Sequence, residues 1–188
     1  LGADYHGMKP TLAVREGAGA CPTWSGALHP AHVEKVLMVT RRFADTRADE
    51  HARLVRALHE AAAWCDEPPH REELAGILSA AAYLNLPSRI IAPALLGQFD
   101  LGHGRAESLP DFHIFHRGDA GVPDEAKAAA LQKALADAGL LPAAAGRDPE
   151  LPRRLFRADL HREILARHSH LHEITPSSDP RGNDSAIR

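Results

Sequence analysis

An unbroken apolar run, Val36-Leu37-Met38-Val39, most limits what this chain can become, because two amphipathic patterns follow it at once. Four apolar residues in a row leave no wet face, the pattern of a strand covered on both sides. A buried strand feeding helices predicts an α/β domain, helix-rich with few strands, rather than a helical bundle. The strand is expected over 34–40. It follows an N-terminal segment and loop over 1–28 and opens an α/β lobe portion over 29–139.

A short helical turn is expected at Arg41 to Ala44. Thr46 is the expected hydroxyl cap of the first long helix, and Asp49 suits its N-terminal dipole. Leu54, Leu58, Ala61 and Cys65 recur there at helical spacing, with Val55 and Ala62 beside them and Glu50, Arg53, Arg56 and Glu60 opposite, so one face is expected on a core. Pro68-Pro69 ends this helix and opens another, with Glu72 and Glu73 in its first turn and Leu74, Ile77, Leu78 and Ala81 as its buried stripe. A third helix, over 88–97, buries Ile90, Ile91, Leu95 and Leu96. The glycine-bearing stretch over 97–110 reads as loop, and Phe112 to Phe115 as a second short strand. Pro123 opens a helix from Asp124 to about Ala138, stopped by Gly139. A linker over 140–152, a C-terminal helix over 153–167 and a disordered tail over 168–188 complete the expected organisation.

Composition narrows the function. With 44% hydrophobic residues the chain can bury a core, built mostly from Ala and Leu because aromatics are only 5%. A net charge of -3 gives no reason to expect nucleic acid or an anionic membrane as partner. Cys21 and Cys65 are too few for a disulfide framework or a cysteine metal site. The chain starts at Leu1 without a basic-then-apolar signal segment, and no run approaches the roughly 18 apolar residues of a membrane span. No phosphate-binding glycine loop, GxSxG or HExxH is present, so neither catalysis nor a cofactor is expected. The acidic pairs Glu72-Glu73 and Asp124-Glu125 sit in helix first turns, where the dipole accounts for them. His59 and His70 fall on polar helix positions and are expected to be solvated. His168, His170 and His172 alternate, so on a strand they would share a face able to take Zn²⁺ or Cu²⁺; a solvated His-rich tail is the plainer reading.

Several short matches occur in a fixed order. His29-Pro30 precedes Glu34-Lys35-Val36-Leu37, and a helix ending Trp64-Cys65-Asp66 precedes Pro69-His70-Arg71-Glu72-Glu73. Tyr83-Leu84-Asn85-Leu86-Pro87, Gly97-Gln98-Phe99-Asp100, Pro110-Asp111-Phe112-His113-Ile114-Phe115 and Leu155-Phe156-Arg157-Ala158-Asp159-Leu160 follow. This order resembles the second half of the nitrate- and bicarbonate-binding proteins of bacterial ABC importers, and of the related nitrate sensors. The chain departs from that pattern where its helix opens Pro123-Asp124-Glu125 rather than with a tryptophan and a basic residue.

The resemblance implies part of a type II periplasmic-binding-protein fold, whose two lobes close over a small anion. It also implies a non-enzymatic solute-binding role for nitrate, nitrite or bicarbonate, with an ABC permease as partner and a periplasmic or cell-surface location. A cytoplasmic nitrate sensor acting on a regulatory protein is the alternative. An interaction or metal-binding α/β domain is another. A nitrate pocket needs convergent donors, a cation and an apolar wall. Under this resemblance Thr23 and Ser25 are the donors, Trp24 the wall and Lys35 the cation.

Overall fold

The computed structural model describes Val14, residues 16–28 and residues 35–173. In order these form the helical turn α1 (Ser25–Leu28), α2 (Arg41–Thr46), the long α3 (Ala48–Asp66), α4 (His70–Ser79) and α5 (Ser88–Leu96). A hairpin of β1 (Gln98–Gly102) and β2 (Arg105–Ser108) follows, then α6 (Glu125–Asp137), α7 (Ala143–Gly146), α8 (Leu151–Leu155) and α9 (Ala158–Glu173). The fold is α/β, helix-rich and poor in strands, as expected.

Helix α5 is the centre because its residues are apolar on two sides. Ile91 and Leu95, four apart and so on one stripe, pack against Leu74 and Ala75 of α4. Ala94 lies instead with Phe99 and Leu101 of β1, and Cys21, Leu109 and Phe112 close that second cluster. Ile91 is 0% exposed.

The expected loop over 97–110 is an antiparallel hairpin, with Gln98 opposite Ser108 and Phe99 opposite Glu107. Phe99 and Leu101 are buried and Gln98 and Asp100 exposed, the alternation of a strand with one covered face. Glycines make the turn possible: Gly102, His103 and Gly104 all have positive φ. Gly97 ends α5 in the left-handed region, its N–H donating to the Pro93 carbonyl. The Gly97 carbonyl then accepts the Leu109 N–H at 2.7 Å, which clasps the open end of the hairpin.

Neither expected strand forms. Residues 35–40 have no regular structure, and Val36, Leu37 and Met38 are 56%, 47% and 86% exposed. No neighbouring strand lies beside them among the described residues. Phe112 to Phe115 is irregular because side chains satisfy its backbone in place of a ladder: Arg71 donates to the His113 carbonyl, and the following N–H groups of His116 and Arg117 go to Asp66.

The helices also shift from expectation. No side chain caps the long α3, whose N-cap is Arg47 rather than Thr46; Thr40 caps the preceding α2 by accepting the Phe43 N–H. The Thr46 hydroxyl donates to the Arg42 carbonyl at that helix's end. On α3 only part of the expected face turns inward: Val55, Ala62 and Cys65 are half-buried, whereas Leu54 and Leu58 are 38% and 47% exposed and Ala61 is exposed. The covered stripe lies one residue round, at His51, Val55, His59 and Ala62, down to Asp66. The expected linker contains α7, and Gln132 of α6 ties it down by donating to the carbonyls of Ala145 and Asp148. The expected single C-terminal helix is broken at Phe156-Arg157 into α8 and α9. The backbone of α9 stays helical through Glu173, so His168, His170 and His172 do not have the strand period that a shared face requires. The tail beyond Glu173 lies outside the described residues.

Candidate functional site

The segment carrying Thr23, Trp24 and Ser25 is attached to the hairpin. The Cys21 N–H donates to the Leu101 carbonyl at 2.9 Å, and the Cys21 thiol donates to the Thr23 carbonyl at 3.1 Å. Trp24 is half-buried, Thr23 is exposed, and Ser25 is the first residue of α1. The chain crosses the indole closely: a Cβ on Gly26 would stand 3.3 Å from its Cδ1. An apolar ring and two hydroxyl residues are thus held together by sequence adjacency at the entry to a short helical turn. Lys35 stands apart in sequence, exposed at the start of the irregular stretch over 35–40.

The most constrained polar group is one that sequence reading passed over. Asp66 ends α3 and Arg71 lies in the first turn of α4; their side chains are each only 7% exposed and meet at 2.7 Å. The second Asp66 oxygen accepts the N–H groups of His116 at 3.0 Å and Arg117 at 2.6 Å. Burial works against the carboxylate, but the backbone donors of Arg117, His116 and Phe115, with the Arg117 charge, outweigh it and hold its pKa below the usual range. The Arg71 guanidinium lies 4.8 Å over the Phe115 ring. One carboxylate therefore gathers two helices and the loop over 113–117. A signal existed in the Trp64-Cys65-Asp66 and His70-Arg71 matches, but spacing alone could not say which partners those charges face.

His59 and His70 are not solvated as expected. The His70 ring stacks on Trp64 at 4.4 Å, its Nδ1 2.9 Å from the Trp64 carbonyl oxygen. The His59 ring meets His116 edge-on at 4.6 Å and His161 at 6.1 Å. Burial, then the His59 charge, pushes His161 below its ordinary value of 6.5. No cluster of three or more His, Cys, Asp or Glu among the described residues is arranged to hold a metal ion. A hollow of about 470 Å³ lies elsewhere, where α8 meets α9, and arginines line it.

Among the described residues no helix is long and apolar enough to cross a membrane. Residues 10–79 match the NMT1-like family. The chain is 29% identical over 170 residues to the nitrate/nitrite binding protein NrtA of Synechococcus elongatus, covering 90% of this chain and 38% of that protein. It is 31% identical over 93 residues to the bicarbonate-binding protein CmpA of a Synechococcus species, covering 50% and 21%. It is also 31% identical over 105 residues to the nitrate import ATP-binding protein NrtC of a Synechocystis species, covering 55% and 15%. Its fold superposes on the crystal structure of the periplasmic nitrate-binding protein NrtA from Synechocystis PCC 6803 with a TM-score of 0.80 and 25% identity, covering 93% of this chain and 46% of that one. The chain therefore spans less than half the length of each of these relatives. With sequence and fold in agreement, the chain is a relative of the nitrate- and bicarbonate-binding proteins of ABC importers and carries part of their periplasmic-binding-protein fold.

Proposed function

We propose that this chain is a portion of a solute-binding protein for a small oxyanion, nitrate, nitrite or bicarbonate, that delivers its ligand to an ABC permease and catalyses nothing. The superposition on a periplasmic nitrate-binding protein over 93% of the chain carries this reading. Similarity to an import ATP-binding protein favours import over sensing, and the superposition on a periplasmic binding protein favours a periplasmic or cell-surface location. In this proposal Trp24 is the apolar wall of the anion site, Thr23 and Ser25 are donors and Lys35 is the cation. The hold of Cys21 on the hairpin supports that role, because a donor set anchored to a folded element loses little freedom on binding.

The exposed apolar surface supports the same reading. Val36, Leu37 and Met38, with Leu54 and Leu58 of α3, are left open to solvent. About half of the nitrate-binding protein's chain has no counterpart here. In the proposal that remainder of the two-lobed fold covers these residues, and closure of the two lobes over the anion shifts the population toward the closed form.

Thermal unfolding tests it. Millimolar nitrate is expected to leave the melting temperature of this chain alone unchanged. Supplied with the remaining part of the fold, the protein should be stabilised by nitrate, nitrite or bicarbonate through linkage, and Trp24→Ala should weaken the effect. No stabilisation of the completed protein by any of the three anions would overturn the proposal.

A further inference from the structure

Helix α9 packs against α3, and among its described side chains Ile164 alone is buried, at 5% exposed. One turn before Ile164, the His161 ring meets the ring of His59 on α3 at 6.1 Å. His59 in turn meets His116 of the loop over 113–117 at 4.6 Å. Three half-buried imidazoles from three elements therefore gather where α9 is held. The ring planes cross at 85° and 64°, edge to face, the arrangement in which uncharged rings attract.

The charged groups around the rings are engaged elsewhere or are themselves positive. On α9, Arg157 stands one turn before His161 and pairs with Asp159, Glu163 pairs with Arg167, and Arg162 is exposed. The side chains of α9 from His168 on lie outside the described residues. On α3, Arg56 stands one turn before His59, and Glu60 is exposed on another side of the helix. Asp66, two turns after His59, is taken by Arg71 and by the backbone N–H groups of His116 and Arg117. In the loop, Arg117 lies between Asp66 and Asp111, and Asp119 pairs with Lys127.

Docking strips water from a charged ring, and a second proton sets like charges closer than the Debye length, where salt screens them only in part. His161 already lies below its ordinary value of 6.5, through burial first and then the His59 charge. A released helix takes up the proton more readily than a docked one, so by linkage acid favours release. We propose that His59, His116 and His161 form a pH-sensitive latch, in which neutral rings hold α9 on α3 and protonated rings let it go. The loop stays in place because the buried Asp66–Arg71 pair holds it, whereas α9 has one buried side chain among those described. The latch rests on packing within this chain, so it stands whether or not the chain binds an anion.

Amide hydrogen exchange of the chain tests the proposal, read as protection factors at about pH 7.5 and about pH 5.5, one unit either side of the ordinary histidine value. Protection at the Ile164 amide of α9 is expected to fall by about threefold or more relative to that at Leu95 of α5. That is the factor by which one like-charge pair 6.1 Å apart shifts an equilibrium even at the dielectric constant of water. The double variant His59→Gln/His161→Gln should hold its Ile164 protection at both pH values. His116→Gln is the second variant; Asp66 takes the backbone N–H of His116 and not its ring, so the fold should survive and the fall should shrink. His103→Asn, on the exposed hairpin turn, should leave the fall intact. Unchanged Ile164 protection in the parent chain, an equal fall at Leu95, a full fall in either latch variant, or its disappearance in His103→Asn would each overturn the proposal.

Discussion

Replacing Asp66 by Ala should be among the most damaging polar substitutions in this protein. The carboxylate is 7% exposed, pairs with an equally buried Arg71, and accepts two backbone N–H groups of the loop over 113–117. Its loss leaves the guanidinium with the His113 carbonyl and the Phe115 ring face as its remaining contacts. One Arg71 nitrogen, Nη1, is already buried without a hydrogen-bond partner, so the site has no spare acceptor to offer. Removing one member of a buried pair costs about 3–5 kcal/mol, because the other charge stays buried uncompensated. The released N–H groups add little to this, since Arg117 is exposed and water can reach it. For a chain of this size that corresponds to a fall in melting temperature of roughly 6–20 °C. Chemical denaturation followed by circular dichroism measures it. The double variant Asp66→Ala/Arg71→Met should cost clearly less than the sum of the single ones, because no orphaned charge remains. A cost below about 1 kcal/mol for Asp66→Ala, or strict additivity in the double variant, would refute the reasoning.

Two further outcomes follow from the same structure. Gly97→Ala should destabilise by about 1–3 kcal/mol, because Gly97 sits at φ 69° and a Cβ there would lie 2.4 Å from the Leu109 carbonyl oxygen. Faster hydrogen exchange at the Leu109 amide would report the loosened clasp, and Gly104→Ala, at positive φ but in open space, should cost less. Stability should also fall on acidification below pH 6.5, where the unfolded chain takes a proton that His161 resists in the folded state because of burial and His59. This contribution is complete above 6.5 and lost as pH falls toward the folded-state value, so His161→Gln should flatten melting temperature against pH in that window. Asp66, whose folded pKa is also depressed, adds its loss at lower pH, as the carboxylate takes its proton. An unchanged slope in His161→Gln would count against the His59–His161 contact.

Elements were legible where a local rule decides them. Ser88 to Leu96 reads as a helix because Ile90, Ile91, Leu95 and Leu96 recur at its period and Gly97 supplies the stop. The same rule centred the inward face of α3 one residue off, because it counts apolar residues only. Beside Val55 and Ala62 the covered positions there are His51, His59 and Asp66, polar groups that become tolerable inside once a ring or a backbone donor meets them. The hairpin was missed for another reason: Phe99 and Leu101 do alternate with polar neighbours, but two residues of period give a weak signal beside three glycines. The candidate anion residues Thr23, Trp24 and Ser25 were legible as a group because they are consecutive, and nothing local relates them to Lys35.

The amino-acid order by itself determined the succession of helices α2 to α6, the glycine stops and the kinship with anion-binding proteins, since each depends on residues near one another in the chain or on motif order. Only the tertiary structure decided which side of each helix lies inside, and that Val36 to Met38 stays open to solvent. It alone set Asp66 against Arg71, and five arginines around one hollow. Those outcomes depend on which distant groups satisfy a buried charge or cover an apolar side chain, and periodicity along one segment carries no record of the segment packed against it.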